Sequence, residues 1–338
     1  MQSVNRDGQF VTDTTKTPPP EGLPAAPASG KWSGRTRGGT LGNWIFLKLI
    51  GIFGIRSAYA LLVPVAAYYL IAAPRSVRSS YGYLRVVLGS RPWWKWPFLI
   101  YRHFFSLGMS LLDRYAMLMG RDRFSCTYEG EEKIVDALAE GKGVVLVSAH
   151  VGNWAAGGHL LGRLKTRINL VVLQNEVERV QRLFDRMLLT RNFHVLPASQ
   201  DLSSSLSIMN ALRQGEIVVF NGDRAIGDTT SAEVHFFGRP ADFPTGPYLM
   251  AAMTGAPVIQ TFAMREGVDR YRFFCHAAGH VPQASRAERK QVLAECAAEF
   301  AGRLEAALKE YPFQWYNFYP FWKEAATEPE ASPTGGAG

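Results

Sequence analysis

The sequence predicts an α/β fold: a largely parallel sheet with helices on both faces, preceded by membrane-associated helices. Three observations carry this. Strand-length apolar runs alternate with amphipathic helical stretches between residues 131 and 310. The runs are too continuously apolar to have a wetted face, and a long apolar segment precedes them. At 338 residues the chain can form one large domain with an accessory segment.

Residues 1–40, including "TKTPPPEGLPAAPASGKWSGRTRGG", are rich in Pro, Gly, Ser and Thr without apolar periodicity. They are expected to be a disordered tail, as are residues 326–338. No signal peptide is read near Met1, because no apolar core follows a basic start. Residues 41–119 are expected to form a membrane-associated helical segment. Trp44 to Ala73 holds two charges, Lys48 and Arg56. The uninterrupted part, Ser57 to Ala73, sits at the short edge of the roughly 17 to 25 residues that span a bilayer, and Pro64 falls within it. Arg56 on one side and Arg75 with Arg78 on the other give no positive-inside asymmetry. A monotopic helix or hairpin at the cytoplasmic face is favoured, with a single span or a buried core helix left open. The tryptophans of "RPWWKWPF" suit either a membrane interface or an aromatic core. From Tyr81 to Met119 the apolar residues recur at three-and-four spacing, with Arg102, His103, Asp113 and Arg114 off that face. His103 is therefore expected at the surface or at a cap.

Residues 120–325 hold the alternation. "GEEKIVDALAEGK" reads as a helix closed by Gly141, and "GVVLVSA" as a buried strand. "RINLVVLQ", "FHVLPA" and "EIVVFNGD" are strands, separated by the helices "EVERVQRLFDRMLLTRN" and "SLSIMNALRQG". "YLMAAMTG" is a helix, "APVIQTFAMRE" and "RYRFFCHAAGHV" are strands, and "RAERKQVLAECAAEFAGRLEAALKEYP" is a long amphipathic helix.

In such a sheet, sites form at the carboxyl ends of strands. His150 stands at one such end, and Asn221 to Arg224 at another. A histidine beside a helix start can take a proton from a hydroxyl, since imidazole titrates near neutrality. The plainer alternative is a helix-capping turn with an incidental histidine. A buried Asp223–Arg224 pair is costly unless partnered or facing ligand, and a guanidinium suits phosphate or carboxylate. Backbone N–H groups near Thr245 and Gly246, in "FPTGP", could receive an anion, although an ordinary helix-start loop has the same composition. His159 and His235 read as structural.

Lys and Arg number 37 against 29 Asp and Glu, a formal charge of +8, which favours anionic partners such as phospholipid surfaces or phosphorylated carriers. Nucleic acid is disfavoured, because the basic residues form no recognition motif. Cys126, Cys275 and Cys296 lack disulfide or zinc spacing and fit a reducing compartment.

The combination of "SAHVGNW", "NGDR", "FFGRPADFPTGPYLMAAMTGAPV" and "YPFQWYNFYPFW", from Trp44 to Lys323, resembles the lipid A biosynthesis late acyltransferase family of the lysophospholipid acyltransferase superfamily. The resemblance implies an inner-membrane enzyme whose catalytic domain, residues 120–325, faces the bacterial cytoplasm. It implies transfer of a fatty acyl group from an acyl carrier protein or coenzyme A thioester to a lipid hydroxyl, with no cofactor. It makes His150 the general base and assigns Val151, Gly152, Asn153, Trp154, Arg224, Thr245 and Gly246 to substrate. The family's histidine is followed after four residues by Asp or Glu, and here that position is Ala155. Three readings follow: another carboxylate substitutes, with Asp223 ahead of Asp201 and Asp228; a backbone carbonyl fixes the tautomer while a less demanding acceptor is used; or the chain is a catalytically weakened or inactive lipid-binding homologue acting as a partner or regulator.

Overall fold

The computed structural model describes residues 40–119, 124–153, 156–157, 161, 164–173, 192–198, 202–224 and 230–322. The tails expected before residue 40 and after 325 lie outside them, as do the "EVERVQRLFDRMLLTR" helix, Trp154, Ala155, His159, Asp201 and Asp228.

Four helices come first: α1 Thr40–Phe53, α2 Ile55–Ala72, α3 Pro74–Leu88 and, after a 3₁₀ turn, α4 Trp96–Met119. Then follow β1 Ser125–Glu129, α5 Glu132–Ala139, β2 Val144–Ser148, β3 Ile168–Leu173, β4 Phe193–Ala198, α6 Leu202–Arg213 and β5 Ile217–Asn221. The chain continues through β6 Ser231–Phe236, β7 Arg239–Pro244, α7 Gly246–Thr254, β8 Val258–Arg265, β9 Arg270–Gly279 and α8 Arg289–Glu310.

Seven strands form one sheet in the order β1-β9-β8-β2-β5-β3-β4, antiparallel only between β8 and β9. Strand pleating sends alternate side chains to opposite faces, and both faces are covered. Val145 and Val147 of β2 join a core with Leu212 of α6, Tyr248 of α7, and Phe300 and Leu304 of α8. Val144 and Leu146 join a second core with Ile134 and Ala137 of α5. The predicted α/β architecture is the one observed.

Three strands were not expected. β1 is a short edge strand. β6 and β7 form a separate hairpin whose two-residue turn, Phe237 and Gly238, has positive φ at both positions (52° and 72°). That is the backbone of a type I′ turn, although Phe is a rare occupant of it, and prolines 240 and 244 mask the strand pattern. His235 lies on the outer face of this hairpin, exposed, rather than packed as expected.

The α1–α2 break falls at Gly54, where φ is +77°. Among the described helices α2 alone is long and apolar enough to cross a membrane. Its Ala58, Leu62 and Ala66 are buried, and α4 meets Leu62 at Gly108, where a Cβ would lie 2.4 Å from a Leu62 methyl. The tryptophan cluster divides: Trp93 and Trp94 are 81 % and 62 % exposed, while Trp96 is buried. Two α4 residues that lie off its apolar face are buried all the same, and His103 thereby contradicts the surface or cap expectation. His103 is fully buried, bonded to Ser80 and to the Trp315 carbonyl. Asp113 is also fully buried; it accepts hydrogen bonds from Tyr59 and Tyr271 and lies 2.9 Å from Arg265 Nε. Both look outward in sequence because α4 is covered on a second side by β8, β9 and the chain after α8.

Candidate active site

β2 and β5 are neighbours, with Ser148 opposite Asn221. The residues two places beyond each strand end, His150 and Asp223, therefore emerge side by side. His150 Nδ1 lies 2.8 Å from Asp223 Oδ1. Asp223 Oδ2 accepts the His150 backbone N–H at 3.0 Å, the Trp315 indole N–H at 2.8 Å and the Asn317 amide at 3.1 Å. An ionised carboxylate only accepts, so the hydrogen-bond network assigns the proton to Nδ1 and leaves the Nε2 lone pair available. Asp223 is fully buried, and the His150 side chain is 30 % exposed. Burial pushes the Asp223 carboxyl up, but the adjacent His150, then Arg224 and the Trp315 N–H, outweigh it and hold it well below the usual carboxylate range. The pair has the geometry of a general base with its orienting acid.

The turn after His150 is fixed by close backbone approach. Gly152 has φ +48°, and a Cβ there would sit 1.8 Å from the Ala263 carbonyl oxygen, so only glycine fits. The Gly152 N–H donates to Gln314 O and the Asn153 N–H to Ala263 O, each at 2.9 Å. Val151 forms a β-bridge with Trp315. Val151, Gly152 and Asn153 are buried; the structure spends them on seating His150. Trp154 and Ala155 lie outside the described residues. Arg224 Nε donates to Asn317 Oδ1 at 2.6 Å and Nη2 to Tyr316 O at 3.1 Å, so it braces the segment that braces Asp223. Thr245 closes on Thr230: its N–H donates to Thr230 O at 3.0 Å and its hydroxyl to the same oxygen at 2.9 Å. The Thr245 N–H is therefore engaged by protein, and Gly246 begins α7 beside it. Among the described residues no three His, Cys, Asp or Glu side chains converge as a metal site requires.

Residues 314–317, "QWYN", carry site roles that residue-level reading did not assign. Gln314 bridges the Arg265 backbone, accepting its N–H at 2.8 Å and donating to its carbonyl at 2.7 Å. Tyr316 N–H donates to His150 O at 2.8 Å. The signal was a run of aromatic and amide residues after the last helix, too polar for core and too aromatic for a tail.

A family model described as bacterial lipid A biosynthesis acyltransferase matches residues 38–324. The chain is 29 % identical over 194 residues to a phosphatidylinositol mannoside acyltransferase of Mycobacterium tuberculosis (strain ATCC 25618 / H37Rv), covering 57 % of this chain and 58 % of that one. It is 25 % identical over 191 residues to a phosphatidylinositol mannoside acyltransferase of Mycolicibacterium smegmatis, covering 55 % of this chain and 59 % of that one. The matches thus span less than two thirds of these relatives' length.

Proposed function

The chain belongs to the bacterial lipid A biosynthesis acyltransferase family, and on that premise we propose that it moves a fatty acyl group from an acyl carrier protein or coenzyme A thioester to a hydroxyl of a membrane lipid. The observation that carries the reading is the buried Asp223 carboxylate 2.8 Å from Nδ1 of a partly exposed His150. His150 Nε2 takes the acceptor's hydroxyl proton as its oxygen attacks the thioester carbonyl. The tetrahedral intermediate then collapses, the C–S bond breaks, and the departing thiolate takes the proton back from the imidazolium. Asp223 stays ionised throughout and stabilises that imidazolium, so neither an acyl-enzyme nor a cofactor is required. Asp223 thereby fills the role that Ala155 leaves vacant in the His-x4-acid pattern.

A glycosylated phospholipid stands first among acceptors, because the matched relatives are named phosphatidylinositol mannoside acyltransferases. On this reading the protein works at the cytoplasmic face of the bacterial inner membrane, where a thioester donor and a bilayer acceptor meet. The apolar α2 and exposed Trp93 and Trp94 support a bilayer contact.

The test is transfer from acyl carrier protein and coenzyme A thioesters into a lipid extract by the purified full-length protein, followed by mass spectrometry. Asp223→Asn, which leaves the imidazole in the wrong tautomer, is expected to lower kcat by about 10³- to 10⁴-fold, and His150→Ala by a similar factor. Undiminished transfer by His150→Ala would remove the proposal.

A further inference from the structure

The proposed mechanism uses His150 and Asp223, yet a second histidine lies behind them. His103 of α4 is fully buried, with Nδ1 2.8 Å from the hydroxyl of Ser80 on α3 and Nε2 2.7 Å from the Trp315 carbonyl oxygen. A carbonyl has no proton to give, so Nε2 must carry one, and Nδ1 must accept from Ser80. The ring is locked in a single tautomer between α3 and the segment that follows α8. Its acceptor is the residue whose indole N–H donates to Asp223 Oδ2 at 2.8 Å. Trp315 is thus held by its backbone from one side while it holds the carboxylate from the other. Supporting contacts converge on the same stretch: Tyr83 Oη donates to Pro312 O at 2.9 Å, the Tyr83 ring meets Trp315 edge-on with centroids 5.0 Å apart, and His103 stacks on Phe318 at 4.6 Å.

We infer that His103 is a positioning residue for acyl transfer: by gripping the Trp315 carbonyl it aims the indole N–H at Asp223 and so fixes the acid that orients His150. The chain Ser80–His103–Trp315–Asp223–His150 is unbroken and joins α3 and α4 to the carboxyl ends of β2 and β5. The inference rests on the acyltransfer reading for its kinetic consequence, but not for the geometry it asserts.

The experiment compares H103Q, whose amide can still donate toward the Trp315 carbonyl, with H103N, which is one methylene too short, in the full-length protein. H103N is expected to lose 10- to 100-fold in kcat with KM within twofold, and H103Q to keep kcat within about fivefold. H103N combined with Trp315→Phe should be no slower than Trp315→Phe alone, because both break the same link. The indole ¹⁵N–H resonance of Trp315, assigned by its loss in Trp315→Phe, should move in H103N and hold in H103Q. If the wild type transfers no acyl group while that resonance still moves, the functional reading fails and only the mechanical link from His103 through Trp315 to Asp223 stands. Equal kcat and an unmoved resonance in both variants overturn the inference. If H103N does not fold, Ser80→Ala replaces it: a shifted Trp315 resonance with a kcat loss is the expected result, and an unmoved resonance with unchanged kcat overturns the inference.

Discussion

A carboxylate sealed from water stays ionised only where its neighbours offset the lost hydration, and Asp223 meets that condition through His150, Arg224 and the Trp315 N–H. His103 solves the opposite problem: burial lowers its pKa to about 4, and the bond to the Trp315 carbonyl only partly counters this, so the folded protein holds it neutral. Unfolded, it titrates at its ordinary 6.5. Between pH 6.5 and 4 the unfolded chain therefore binds a proton that the fold refuses. The stabilisation is complete above 6.5 and is lost as pH falls toward 4. The shift corresponds to about 3 kcal/mol across that window. Asp223, with its pKa lowered in the fold, adds stability that is present above its ordinary 3.8 and is lost below that. Denaturant unfolding in detergent should show the protein weaker by roughly 2–3 kcal/mol at pH 4.5 than at pH 7.5, with most of that slope absent in H103Q; an equal slope in H103Q would refute the assignment. His150 and Asp223 were legible in sequence because strand ends are where a parallel sheet presents side chains. His103 was not, because its partner Trp315 comes 212 residues later.

Helices and strands differ in how much of their environment they advertise. β2, β5 and β8 are buried on both faces and mostly apolar, and could be read directly. β6 and β7 could not, since alternation is interrupted by prolines and a Phe-Gly turn. α4 reads as amphipathic, yet its Asp113 belongs to a buried cluster in which Tyr59 of α2, Tyr271 of β9 and Arg265 of β8 converge. Periodicity reports the main apolar stripe of a helix and says nothing of a second, polar contact on its flank. Burial raises the Asp113 pKa, while Arg265, Tyr271 and Tyr59 draw it down. Removing the acid strands a guanidinium that is only 11 % exposed. Asp113→Ala is accordingly expected to destabilise by about 3–5 kcal/mol, and adding Arg265→Met to recover part of that, because the unpaired charge then goes. Thermal unfolding of the single and double variants measures it; a single-variant loss under about 1 kcal/mol would show that the pair is dispensable.

Charge is distributed unevenly over the whole molecule. No Asp or Glu occurs between Glu21 and Asp113, a stretch that holds eleven Lys and Arg, more than the net +8 of the entire chain. Eight of these lie at 48, 56, 75, 78, 85, 91, 95 and 102, on the four helices and in the connection between α3 and α4, and all eight are exposed. The same helices expose Ile52, Phe53, Tyr68, Ile71, Trp93, Trp94 and Phe98. Basic residues interleaved with exposed aromatics match an anionic bilayer surface, where each cation near the headgroups contributes about 1 kcal/mol and indole rings settle at the interface. One face of α2 is already committed to α4 through Ala58 and Leu62, which share a core with Leu112 and Ala116, and Arg56 with Arg75 brackets it, which favours lying on the bilayer over crossing it. The full-length protein should therefore bind phosphatidylglycerol vesicles at least tenfold more tightly than phosphatidylcholine vesicles at 0.1 M salt, where the screening length is about 10 Å. That preference should shrink at 1 M salt, where screening falls to about 3 Å. Trp93→Ala with Trp94→Ala should weaken binding to both lipids while leaving the preference intact, because it removes the apolar anchor and no charge. Vesicle co-flotation separates the two contributions. Binding indifferent to lipid charge would place the helices inside the bilayer, whereas binding indifferent to the tryptophans would leave the positive surface alone to hold the protein at the membrane.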